Sequence, residues 1–264
     1  MTRAVPRSRV ALLLFAAGIL ISGFTILRGV EPFDEGLTLQ AARRVAEGQV
    51  PYSDFLWAYG PAHPYLLAGL FKLFGTSLLW WRIIRVLVDS GVALLVFAIV
   101  RREAPLRVAL VAWLAAACAM AQPTGANPFA PALLFTLAAI WSASSASDRR
   151  GLIVAGSMCA LAAAWRLDFG VFAVVATAAA ACVGSASIRG AYLLGAARSV
   201  LIRRALRPGL VVVAAFAALT ALVYLPFVIA DGPADAWRDL IGRSLSQGRY
   251  WHLPFPLGYD GSLR

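Results

Sequence analysis

The stretch Leu152–Val183, LIVAGSMCALAAAWRLDFGVFAVVATAAAACV, decides the fold. Its 32 residues carry charge only at Arg166 and Asp168. As a single helix rising about 1.5 Å per residue they would reach about 48 Å, well beyond a hydrocarbon core of about 30 Å. The chain must turn, and the segment RLDFG, Arg166–Gly170, combines the charges with a turn-forming glycine. The reading therefore places a tight hairpin tip there, with a short, tilted span on either side.

Composition argues for the same class. A chain of 264 residues that is 61% hydrophobic and 14% charged, with a mean hydropathy of +0.76, holds more apolar surface than a water-soluble core of that size can bury. The fold class expected is an all-α polytopic membrane protein. Its seven apolar stretches are Val10–Leu27, Ile83–Val100, Leu106–Ala121, Pro128–Ser144, Leu152–Trp165, Phe169–Val183 and Leu210–Ala230.

Charge tests that count. With the N-terminus in the cytoplasm, the inner segments collect arginines such as Arg101, Arg102, Arg107, Arg149 and Arg150 against only Glu103 and Asp148. Their balance accounts for the whole formal charge of +11. This is the bias expected of short cytoplasmic loops, and a single crossing over 152–183 would put the basic run from Arg189 to Arg207 outside. The basic balance thus reports topology and contact with membrane lipids, and it gives no reason to invoke nucleic acid. The localisation expected is the plasma (inner) membrane.

The N-terminal MTRAVPRSRV and the apolar run after it have the outline of a signal peptide, with a weak small-residue site near ISG, Ile21–Gly23. The length of the run and the spans that follow favour an uncleaved first span. Cys118, Cys159 and Cys182 all fall in expected spans without metal-ligand spacing, so they read as packing residues.

The loops are unequal. A seven-span membrane module is expected over residues 1–230, with an extracytoplasmic loop over 28–82 and an extracytoplasmic tail over 231–264. A loop of this length needs structure of its own. A first helix is expected from about Glu35 to Glu47, with Asp34 as N-cap and Gly48 as stop. An aromatic, proline-bearing connection follows, VPYSDFLWAYGPAHP, and then a second helix, YLLAGLFKLFG, ending at Gly75. Too short to span, that helix is placed in the interface plane. Tyr52, Trp57, Tyr59, Trp80 and Trp81 are residues that favour the membrane boundary.

Asp34 and Glu35 stand where the chain leaves its first span. An aspartate N-cap followed by a first-turn glutamate is a common helix start in itself. At the membrane surface, beside a groove between spans, such carboxylates can also take a proton from an attacking hydroxyl or bind a divalent metal beside a phosphate leaving group. No glycine-rich phosphate loop or dinucleotide fingerprint occurs, which suits a lipid-linked substrate better than a nucleotide-linked one.

The run PFDEGLTLQAARRVAEGQVPYSDFLWAYGPAHPYLLAGLFKLFGTSLLWWRIIRVLVD resembles the first outer loop of GT-C fold glycosyltransferases. It looks most like the bacterial branch related to protein O-mannosyltransferases and the aminoarabinose and Rgt-type sugar transferases. The elements that match are the Asp-Glu pair after the first span, the helix ending in Gly48, PYSDF, GPAHPY, the helix closing with LFG, and an arginine heading the second span. Weaker likeness extends to AAAWRLDFGVF and to RYWHLPFP in the tail. The resemblance implies an enzyme that moves a sugar from a polyprenyl-phosphate donor to an extracytoplasmic acceptor hydroxyl on a glycan, lipid or protein, with inversion. It implies Asp34 as general base and Glu35 as its helper. It also leaves room for a divalent metal, magnesium or manganese, held by Asp34 and Glu35.

Arg82, Arg85 and Arg166 become candidates for the donor phosphate, since a guanidinium offers paired donors to phosphate oxygens. Each is equally explained as a snorkelling residue at a span end, and Arg166 with Asp168 as a local ion pair. Asp54, His63 and Asp168 are candidate supports of the site. Asp89, about two turns inside the second span, must face the bundle or a partner. Enzymes of this kind carry further spans after a shared module of about seven, so the chain is expected to be that module, with 231–264 as the start of a further part. The competing reading is a small-molecule or lipid transporter, or a non-catalytic membrane subunit, with Asp89, Arg166 and Asp168 as pathway charges.

Overall fold

The computed structural model of the chain describes residues 7–29, 33–122, 128–146, 148–184 and 198–242. Among them the protein is helical throughout, with one isolated bridge between Pro51 and Phe55 and no strand. The helices are α1 (Arg7–Gly23), α2 (Asp34–Ala46), α3 (Ala62–Phe74), α4 (Leu78–Glu103), α5 (Leu106–Met120), α6 (Phe129–Ser145), α7 (Arg149–Trp165), α8 (Leu167–Gly184), α9 (Arg198–Asp231) and α10 (Pro233–Trp237). A π-helical turn, Arg238–Gly242, follows. The RYWHLPFP segment and His252 lie outside the described residues.

Each of the seven apolar stretches is helical for most of its length, although the helix of the first ends at Gly23, short of the expected Leu27. Leu78–Glu103 and Leu206–Asp231 have the length and apolarity of a bilayer crossing, and four of the other apolar helices are shorter. The turn between α7 and α8 is tighter than expected: α7 ends at Trp165, Arg166 is its cap, and Leu167 already begins α8. Gly170 is therefore a helical residue packed on Ala163 rather than part of the tip. Arg198–Arg207, expected in an inner loop, is instead the start of α9, continuous with its apolar part, because nothing in that arginine-rich segment breaks a helix before Pro208.

Helices α6, α7, α8 and α9 pack around Ala139, Ala155, Cys159, Ala173 and Val212, all but inaccessible to solvent. Small side chains let the backbones approach: a Cβ on Gly156 of α7 would stand 2.4 Å from the carbonyl oxygen of Val212 in α9, closer than any side chain tolerates. Helix α4 packs against α1, α5 and α6, with Ala93, Trp113 and Ala117 buried between α4 and α5. The outward faces are apolar as well, with Leu20 75%, Val111 69% and Ile229 74% exposed.

The polar residues gather at the two ends. At one, Arg102 donates to the hydroxyls of Ser144 and Ser145, tying the end of α4 to the end of α6, with Arg101, Arg107, Arg149 and Arg150 exposed nearby in the chain. At the other end α2 and α3 pack on each other through Ala41, Ala42, Leu67 and Ala68. They form a cap over the bundle.

Candidate functional site

The cap begins with α2, whose first residue is Asp34. Phe33 occupies the N-cap position and no side chain caps the helix, so Asp34 is not the N-cap expected. Gly48 and Gly75, with φ of 95° and 82°, end α2 and α3 as the sequence indicates.

Between these helices the chain folds back on itself. Asp54 accepts a 2.7 Å hydrogen bond from the Val50 N–H, and Tyr52 N–H donates to the Phe55 carbonyl. The Tyr52 hydroxyl then donates to the Tyr59 carbonyl at 2.6 Å, and Trp57 Nε1 donates to the Gly60 carbonyl at 2.9 Å. Asp54 is thereby a turn residue, exposed, and not part of an acidic site.

Gly60 then docks onto the end of α7. Its N–H donates to the Trp165 carbonyl at 2.9 Å, and a Cβ there would lie 2.1 Å from the Ala164 carbonyl oxygen. From the other side the Tyr224 hydroxyl of α9 donates to the Ala163 carbonyl at 2.7 Å. Two of the carbonyls that a helix C-terminus leaves without intrahelical partners are thus satisfied by the loop and by α9. This fixes the α7–α8 tip, with Arg166 and Asp168, against the loop that carries Tyr59.

The outcome is a pair of adjoining cavities. One, of about 200 Å³, lies along α2 and is lined by Asp34, Arg44, Phe55, Trp57 and Tyr59 among others. The second, of about 630 Å³, is lined by Tyr59, Arg166, Asp168, Phe172, Tyr224 and Ile241 among others. Tyr59 and Ala58 line both. Burial, and then the negative charges of Asp34 and Asp168 against the opposing charge of Arg166, push the Tyr59 phenol above its ordinary range. Tyr59 is therefore neutral at pH 7, a donor as well as an acceptor.

Arg166 pairs with Asp168 at 2.8 Å while its guanidinium lies 5.6 Å from the ring centroid of Tyr59 and 5.2 Å from that of Phe169. The structure thus brings together Asp34, Arg166 and Asp168 of the residues singled out in sequence, and adds Tyr59, Tyr224 and Arg44. Tyr59 had been read only as one of the interfacial aromatics, and Tyr224 carried no signal inside an apolar span.

The remaining candidates go elsewhere. Glu35 is buried and pairs with Arg82 through both oxygens, Nε to Oε1 and Nη2 to Oε2 each at 2.9 Å. Arg82 also donates to the carbonyls of Ile26, Arg28 and Gly29, so all five of its N–H groups have acceptors. It clamps the exit of α1 to α2 and has no donor left for a phosphate.

Arg85 donates to Thr25 Oγ1 and to the Gln122 carbonyl and lies 4.0 Å from Asp89, whose other contact is a 2.6 Å hydrogen bond from Ser22. That cluster joins α1 and α4 and borders a separate cavity of about 110 Å³. Asp89 faces the bundle, as a carboxylate in an apolar helix must.

His63 is completely buried against Trp81, with ring centroids 4.0 Å apart, and near Trp57 and Trp165. Burial lowers its pKa to about 3, so it is a neutral aromatic in a tryptophan box and not a site residue.

A divalent metal at Asp34 and Glu35 does not fit this geometry. Glu35 is spent on a guanidinium that cannot lose its charge, and a dication on the same carboxylate would stand beside it. Neighbouring positions on a helix also diverge by about 100°, which sends the two carboxylates to different faces. Among the described residues no group of three His, Cys, Asp or Glu side chains is placed to hold a metal. Comparison of the chain with protein-family models, curated proteins and solved structures finds no match.

Proposed function

We propose that the chain is a multi-pass plasma-membrane glycosyltransferase of the GT-C kind, working at its extracytoplasmic face. The seven apolar helices are its spans, and α2 and α3 are interfacial helices of the first outer loop. Exposed arginines at the opposite end support a cytoplasmic position for that end. The observation that carries the reading is the meeting of Asp34 with Arg166 and Asp168, more than 130 residues away in the chain, across the half-buried Tyr59. Exposed Leu37, Leu56 and Phe172 beside the two cavities give a polyprenyl chain a lipid-side approach.

In this scheme Asp34 accepts the proton of the acceptor hydroxyl, whose oxygen attacks the anomeric carbon from the face opposite the phosphate. The carbon–oxygen bond to the phosphate breaks, its electron pair leaves with the polyprenyl phosphate, and the configuration inverts. Arg166, close to the rings of Tyr59 and Phe169, presents its guanidinium to the departing phosphate. Asp168 orients Arg166 in the resting state, and Tyr59 lies between donor and acceptor. Arg82 and Glu35 act one step back, by fixing the start of α2.

The test is sugar transfer from labelled polyprenyl-phosphate sugars in membranes containing the protein or Asp34→Asn at matched abundance. Loss of a general base costs on the order of 10²–10⁴-fold in rate. Transfer that survives in the variant would reduce Asp34 to a helix residue. Absence of transfer by the native protein with every donor would leave the transporter or subunit reading.

A further inference from the structure

We propose that the cavity along α2 takes an acceptor that carries a carboxylate away from its reacting hydroxyl, and that Arg44 recognises that carboxylate. The word acceptor rests on the transferase reading; the anion rests on Arg44 itself. The cavity lining includes Asp34, Leu37, Thr38, Ala41 and Arg44, spaced three and four apart along one face of α2. It therefore runs with the helix axis, and Asp34 and Arg44 stand about 15 Å apart along it. A groove of that length with a volume of about 200 Å³ is narrow and suits an extended chain.

The cations around it differ in what they face. Arg82 faces Glu35, Arg85 faces Asp89, Arg166 faces Asp168, and Arg43, next to Arg44, pairs with Glu47 at 2.8 Å. The Arg44 side chain makes no hydrogen bond or ion pair with any of the described residues. Its guanidinium lies 4.9 Å from the ring centroid of Phe55, a buried wall of the cavity. A cation–π contact of this kind holds the guanidinium against the ring without using its N–H donors. A permanent cation so held, half-buried and without a carboxylate partner among the described residues, matches a ligand that brings the carboxylate. A neutral chain in the same groove would leave those donors unanswered.

The experiment is calorimetric titration of the full chain in a maltoside detergent with three ligands. These are trigalacturonate, with a carboxylate on each ring; maltotriose, its neutral counterpart; and dihexanoyl phosphatidylglycerol, a lipid headgroup phosphate. Trigalacturonate is expected to bind saturably and more tightly than maltotriose. Arg44→Gln should weaken it about tenfold or more, the loss that goes with a charge-assisted hydrogen bond. Arg43→Gln removes the same charge one residue away and should change it less than twofold, and Arg44→Lys should fall between.

Equal binding of trigalacturonate and maltotriose, no binding of trigalacturonate, or equal loss in Arg43→Gln and Arg44→Gln would each overturn the proposal. So would a dependence on Arg44 seen with phosphatidylglycerol alone, which would make Arg44 a headgroup contact. None of these readings requires turnover. Arg44-dependent binding in a protein that transfers no sugar would leave the anion site and remove the transferase reading; transfer without such binding would do the reverse.

Discussion

Glu35 with Arg82 and Asp168 with Arg166 are the same two chemical groups in two settings at one end of the bundle. The first pair is buried, joined through both carboxylate oxygens, and surrounded by carbonyls that take every remaining guanidinium donor. The second is partly exposed, with side chains 26% and 50% accessible, and borders the larger of the two adjoining cavities. Burial forces complete pairing because an unpaired charge away from water costs several kcal/mol. Partial exposure lets a pair open and exchange partners at little cost. The first arrangement fastens the cap to the helix bundle; the second can meet a ligand.

The contrast breaks most readily at Glu35. Glu35→Gln leaves Arg82 charged and buried without its carboxylate, and the protein should lose about 3–5 kcal/mol, read as a lower midpoint of thermal unfolding in detergent. A change under about 1 kcal/mol would show that Arg82 reaches water and that the two pairs do not differ in kind.

His63 is a third setting, a buried titratable group that stays neutral because nothing there stabilises its charge. With the folded pKa at about 3 and the unfolded value near 6.5, the unfolded chain takes up the proton first as pH falls. Its contribution is therefore fully present above pH 6.5 and is lost on acidification, at up to about 1.4 kcal/mol per pH unit between the two values. The difference between the native protein and His63→Phe in unfolding midpoint against pH should show this slope. A pH-independent difference would mean that His63 finds a proton partner or is already charged.

The smallest effect on stability is expected at Arg166. Arg166→Gln should cost no more than about 1 kcal/mol, since its pair with Asp168 is accessible to solvent. If the unfolding midpoint fell as far as in Glu35→Gln, the exposed pair would be a structural fastening too, and the contrast would disappear.

Much of the fold was legible in order along the chain. The length of Leu152–Val183 against the thickness of a bilayer required a turn, and the structure turns there, although at Arg166 alone. Gly48 and Gly75 marked the ends of α2 and α3 because a left-handed residue stops a helix wherever it occurs. The acidic pair was legible as a feature but not as two separate roles. Asp34 and Glu35 are adjacent in sequence and diverge on the helix, one to a cavity and one to a guanidinium.

What the sequence by itself determined are properties that depend on neighbouring residues: helical segments, their apolar faces, their stops, and the separation of charge between the two ends. Only the tertiary structure decided which carboxylate meets which arginine. Glu35 finds Arg82 at a separation of 47 residues, and the Gly60 N–H finds a carbonyl at the end of α7, Trp165, more than a hundred residues away. Such partners are selected by the packing of whole helices, because each buried polar group must be answered by whatever the fold brings beside it. Local sequence says which groups need an answer, and the assembled bundle supplies it.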